Sequence, residues 1–191
     1  MRLLKLLVRR NNCVMVATHQ APVVKTYIRG IRRRYLLLGQ EYGIVLRQGA
    51  RNSLKIEKDN FVVTLSEMTK ENFERFIEDW YRRTARKIFL KSVAKYISDS
   101  PPQIKIYKMR RAWGRCYYRK NIITINLHLV KCPEECIDYI VLHELCHFTH
   151  NDHSKDFYKM VTETDSHWKQ KDARLKEFSQ SRVTLLQRLH I

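Results

Sequence analysis

Pro133-Glu134-Glu135-Cys136-Ile137-Asp138-Tyr139-Ile140-Val141-Leu142-His143-Glu144-Leu145-Cys146-His147 is the stretch on which the reading of this chain turns. Pro133 suits a first helical position, where its missing N–H costs nothing. Glu134 and Glu135 complement the positive helix start. Ile137, Ile140, Val141 and Leu145 recur at helical spacing, so a helix is expected over about 134–150. On such a helix, residues four apart differ by about 40° around the axis. His143 and His147 therefore project from one face, where both imidazoles can meet a single zinc ion. Glu144 points about 100° away from His143. A carboxylate there stands beside the metal and can take the proton from a metal-activated water. A catalytic zinc needs a third protein ligand and an open position. Asn151-Asp152 reads as a turn that can bring His153 back onto the metal. His153 is the expected third ligand, with His150, Asp152 and Glu163 as the alternatives.

Outward from this helix, the flanks read as an α+β chain. Tyr42–Arg47, Ser53–Glu57 and Phe61–Leu65 are β-rich runs separated by short polar links, which predicts an N-terminal antiparallel meander. Asn12–Thr18 is a candidate further strand, and residues 1–10 read as a basic strand or short helix. From Glu71 to about Ile97 the period becomes helical, with Thr69 as N-cap and an aromatic stripe that belongs to a core. Pro101-Pro102 stops that helix. Gln103–Met109 alternates as a strand, a turn around Trp113-Gly114 follows, and Ile122–Leu129 is a second strand. Asp156–Glu163 and Lys169 to about Leu189 read as further helices. No Gly-, Ser- or Pro-rich linker divides the chain. A basic β-rich part over residues 1–68 and a second part over 69–191 are expected.

The stretch Tyr139-Ile-Val-Leu-His143-Glu144-Leu-Cys-His147, followed by His153-Ser154-Lys-Asp-Phe157-Tyr158, resembles the YgjP-like metallopeptidase family. It is similar, more distantly, to Wss1-like and SprT-like zinc peptidases. The family's His-Glu-Leu-x-His and His-Ser-x-x-Phe-Trp elements map onto His143, Glu144, His147, His153, Ser154 and Phe157, with Tyr158 where Trp is usual. Trp113-Gly114-Arg115-Cys116 resembles the family's Trp-Gly-Ser-Cys turn, Arg115 replacing the small Ser. The resemblance covers about residues 40–180. It implies a minimal zincin-like helix/sheet catalytic domain, one zinc per chain on His143, His147 and His153, and Glu144 as general base. It also implies a strand edge that pairs with an extended peptide substrate, for which Ile122–Leu129 is the candidate. Tyr117, Tyr118, Arg115 and Tyr158 are candidate donors to an oxyanion. His128 and His167 read as structural or exposed.

Composition limits the remaining classes. The chain has 191 residues, 44% of them hydrophobic, enough for a core without disulfides. No apolar run approaches the roughly 20 residues of a membrane span. The five cysteines form no disulfide framework, and Met1–Arg10 lacks the apolar length and cleavage site of a signal peptide. Reduced thiols in a cytoplasm are expected. Cys132 and Cys136 lack a second pair at zinc-knuckle spacing, so they read as structural. The net charge is +18, with 13 Lys/Arg against 3 Asp/Glu in residues 1–60. Such a surface suits a polyanion such as nucleic acid, alongside a peptide or protein substrate. The same metal-activated water could instead attack a phosphoanhydride in a nucleotide, but the chain has neither a Gly-rich phosphate loop nor an acidic magnesium cluster. A non-enzymatic, nucleic-acid-associated protein is disfavoured by Glu144, because a structural metal needs no base beside it.

Overall fold

The computed structural model describes residues 28–181. The strand expected over 12–18, the basic segment 1–10 and the end of the last helix towards Leu189 lie outside them. The chain forms two compact units. Among the described residues, one gathers Ile28–Tyr35 with Tyr42–Phe76, the other Leu36–Glu41 with Ile77–Ser181.

β1 (Arg34–Leu37), β2 (Gln40–Gln48), β3 (Ser53–Glu57) and β4 (Asn60–Leu65) build a sheet in the order β1-β2-β4-β3. β3 and β4 form the expected antiparallel hairpin, Glu57 opposite Asn60. One pairing departs from a sequential meander: β2 runs parallel to β4, with Ile44 beside Phe61. The link over residues 49–52 therefore steps across two strand spacings, about 10 Å, which four residues can span. The physical reason lies in burial. Phe61, Val63 and Leu65 of β4 are fully buried, whereas β3 is mostly exposed, so the apolar strand takes the inner place. Phe61 stacks on Tyr35 and Tyr42. α1 (Lys70–Val93) begins where expected, with Thr69 Oγ1 accepting from the Asn72 N–H at 3.2 Å.

In the second unit, Ile77, Tyr81, Ala85, Phe89 and Val93 form the buried stripe of α1. β5 (Gln103–Tyr107), β6 (Gly114–Tyr117) and β7 (Ile122–Asn126) make a sheet in the order β5-β7-β6. Two expectations change here. The stretch after Trp113 is a strand rather than only a turn; four residues reading Gly-Arg-Cys-Tyr carry no apolar alternation to reveal it. The strand from Ile122 ends at Asn126, because the Asn126 side chain accepts from the His128 N–H and starts a 3₁₀ turn over Leu127–Lys131.

α2 (Glu134–Cys146), α3 (Lys155–Thr164) and α4 (Trp168–Ser181) follow. α2 packs against β6, β7, α3 and α4. Ile123, Ile125, Leu129, Ile137 and Val141 are fully buried; burial of such a side chain contributes about 1.5–3 kcal/mol. Three polar ties set the position of α2. Ser92 Oγ and Lys95 Nζ each bond Asp138 at 2.6 Å, and Arg174 meets Glu135 at 2.6 Å. The Leu38–Gly39 turn donates to the carbonyls of Val130 and Lys131 at 3.0 and 2.9 Å. Gly39 has φ +82 and lies against Pro133, so a side chain there would be strained and crowded just before α2 starts. No helix of the described residues is long and apolar enough to cross a membrane.

Candidate metal centre

α2 delivers His143 and His147 on one face, one turn apart, with ring centroids 4.9 Å from each other. The helix stops at Cys146, and His147 is its C-cap. The chain then turns through Asn151-Asp152, where Asp152 Oδ1 accepts from the Ser154 N–H at 3.2 Å. Ser154 in turn caps α3 through the Phe157 N–H. This double cap holds His153 over the end of α2. Its Nε2 lies 3.0 Å from Nε2 of His143. One ligand atom from each of His143, His147 and His153 falls within 4.8 Å of the others; no other such group of His, Cys, Asp or Glu occurs among the described residues.

The alternatives for the third position go elsewhere. The His150 carbonyl accepts from His147 Nδ1 at 2.9 Å. That bond leaves His147 Nε2 with the free lone pair, the tautomer a metal requires. Asp152 is taken up in its turn, and Glu163 is exposed on α3 opposite Lys159. Three imidazoles, one of them oriented by a backbone carbonyl, fit a zinc-type ion in donor set and second shell. Phe157, fully buried, backs all three rings, with centroids 4.6 Å from His147, 4.9 Å from His143 and 5.0 Å from His153. The α2 spacing gave no sign of this apolar plate.

Glu144 is 5% exposed and faces β6. A Cβ at Gly114 would stand 2.5 Å from Glu144 Cγ and 2.6 Å from its Cδ, so only glycine lets the strand come this close. Cys116, two residues along the same strand, has its thiol pushed up to about 11 by burial and by the Glu144 carboxylate. Cys146 packs with Leu142, Phe157 and Val161 rather than facing the histidines. Cys132 and Cys136 are fully buried. Of the oxyanion candidates, Tyr158 has its ring 6.1 Å from that of His153. Arg115 and Tyr117 instead line a pocket with Tyr107 and Thr124. His128 lies beside Lys131, and His167 is exposed next to Ser166.

Burial shifts two titratable groups of α2 in opposite directions. Burial, then repulsion from His147 and His153, lowers His143 from 6.5 to about 4. Burial raises Glu144 from 4.5 to about 8. For His143 the unfolded chain binds more protons between pH 4 and 6.5, so its contribution to stability is lost as pH falls through that window. For Glu144 the folded chain binds more protons between 4.5 and 8, so its contribution is lost as pH rises. The two oppose each other up to 6.5, and above it Glu144 acts alone. The thermal midpoint of metal-free protein should decline from pH 6.5 to 8, and Glu144→Gln should flatten that decline. An unchanged slope in the variant would place the titrating group elsewhere.

The YgjP-like metallopeptidase domain matches residues 8–178 of this chain. The chain belongs to the YgjP-like metallopeptidase family. Membership makes it a metallopeptidase and implies a metal ion. None of the curated proteins matches it. Among solved structures, the chain is similar to the metallopeptidase zymogen of Pyrococcus abyssi abylysin. The identity is 22%, the match covers 53% of this chain and 94% of that one, and the TM-score is 0.38.

Proposed function

We propose that this metallopeptidase is zinc-dependent, with His143, His147 and His153 holding the metal and Glu144 acting as general base. The observation that supports it is the convergence of three imidazoles within 4.8 Å next to a buried carboxyl on the same helical turn. Zinc, when bound, polarises the scissile carbonyl and lowers the pKa of water beside it to about 7. Glu144, pushed up by burial, would be held ionised beside a cation at the three imidazoles. Glu144 then accepts a proton from the attacking water at its carboxylate and returns it to the leaving nitrogen.

The strand that meets an extended substrate is β6, not β7. β7 has a partner on each side, β5 and β6, and no free edge; β6 is the outer strand and carries Gly114 against Glu144. Strand addition on β6 would lay the peptide backbone alongside the metal helix. Gly114→Ala is expected to keep zinc while lowering kcat about a hundredfold, the cost of displacing a catalytic group by around an ångström. Wild-type kcat in that variant would show that β6 yields and that the close approach is not needed.

Product identification tests the activity itself. Zinc-loaded protein is incubated with a peptide mixture and, separately, with nucleoside triphosphates, and both are read by mass spectrometry. New peptide termini that vanish on chelation are the expected result. Released phosphate or pyrophosphate with intact peptides would replace the peptidase by a phosphoanhydride hydrolase.

A further inference from the structure

We infer that the outer face of the three-stranded sheet binds single-stranded nucleic acid. Between Asp99 and Glu134 the sequence carries eight Lys or Arg and no Asp or Glu. The sheet sorts part of this charge onto one face. Register places Lys105 and Arg115 on either side of Thr124, and Gln103 and Tyr117 on either side of Ile122. Ile104, Ile123 and Ile125 are buried on the other face. The outer face opens into a pocket of about 440 Å³ lined by Tyr107, Arg110, Arg111, Arg115, Tyr117 and Thr124.

The loop that supplies Arg110 and Arg111 is built rather than loose. Buried Asn126 donates to the carbonyls of Met109 and Ala112 at 2.8 and 2.9 Å and accepts from the Met109 N–H. Its own N–H donates to Trp113 O at 2.9 Å. Among the described residues, Arg110, Arg111 and Arg115 pair with no carboxylate. Tyr107 is 55% exposed and Tyr117 is 44% exposed, and neither ring stacks on another described ring. Tyr118, with Arg119 over its ring at 5.6 Å, continues the alternation beyond the pocket.

Guanidinium groups alone would take any polyanion. The open aromatic faces beside them have a use only for a ligand that brings planar bases as well as phosphates. Bases in a duplex are already stacked, which leaves a single strand as the fitting ligand. Gly114, on the other face of β6, abuts Glu144.

The test is fluorescence anisotropy of a labelled oligothymidylate with the full chain, read as a function of salt. Binding involves no hydrolysis, so its failure leaves the peptidase reading intact, and the converse holds. Tyr107→Leu with Tyr117→Leu should weaken binding by about tenfold or more, whereas Tyr107→Phe with Tyr117→Phe, which keeps both ring faces, should not. Arg110→Ala, Arg111→Ala and Arg115→Ala together should lower the slope of log K against log salt by about 2. Lys159→Ala with Lys169→Ala, on the α3–α4 surface, should change nothing. Matching melting midpoints establish that each variant is folded. Equal binding by the leucine and phenylalanine pairs, or wild-type binding by the arginine variant, overturns the proposal. So does displacement by polyglutamate or duplex DNA as effective as by unlabelled oligothymidylate.

Discussion

Glu144→Gln leaves the zinc content of the protein unchanged and lowers kcat/KM for peptide hydrolysis by about 10²- to 10⁴-fold, the span of a positioned general base. Gln matches Glu in size, so it fits beneath β6 at Gly114 without disturbing the strand. It also resembles the protonated carboxyl that burial favours in the metal-free protein, where Glu144 sits at about 8. The fold and the three imidazoles should therefore stay as they are. What the amide loses is the capacity to accept a proton from water. With Glu144 only 5% exposed and glycine closing over it, no second carboxylate has room to substitute. The measurement pairs metal analysis with single-turnover cleavage. A variant that keeps zinc and cleaves within tenfold of wild type removes Glu144 from the chemistry.

His153→Ala should all but abolish zinc binding at neutral pH. The loss should exceed the roughly ten- to hundredfold penalty for removing a group that merely orients a ligand. The two histidines left on α2 offer an incomplete set, since catalytic zinc takes three protein ligands. Nothing nearby can replace the third. His150 faces His147 through its carbonyl, and Asp152 is engaged with Ser154. His150→Ala is the matched control, because the carbonyl survives the substitution and zinc affinity should hold within a few-fold. Competition against a chromophoric chelator reads both variants. Unaltered affinity in His153→Ala would hand the third position to another residue.

The part of the centre that lay open in the sequence is the part built by one helix. Four-residue spacing puts His143 and His147 on one face whatever surrounds them, because the helical repeat alone sets the angle. The apolar residues between Cys136 and Leu145 likewise announce a helix buried in a core, and they are buried. Thr69 before α1 and Ser154 before α3 both act as caps through hydrogen bonds that span only three residues. The turn at Asn151-Asp152 was legible from its residue types. That it lands His153 on His143 rather than beyond it depends on the cap at Ser154 and on the Phe157 ring beneath.

Strand order was not legible in the same way. The apolar content of β4 decides that it sits between β2 and β3, yet no local pattern distinguishes an inner from an outer neighbour across a short link. β6 is not legible in residue order because its four residues carry no alternation, and its glycine resembles turn punctuation. Only its contact with Glu144 reveals why a side chain is absent at 114.

Periodicity and capping chemistry act over a few residues and are written directly in residue order, so the α2 helix, its paired imidazoles and the adjacent carboxyl follow from the chain alone. Closing the third imidazole, seating a bare backbone against Glu144 and assembling arginines and tyrosines on one sheet face all join residues distant in sequence. Those choices are made by competition for burial among whole elements, and they become visible only once the elements have packed.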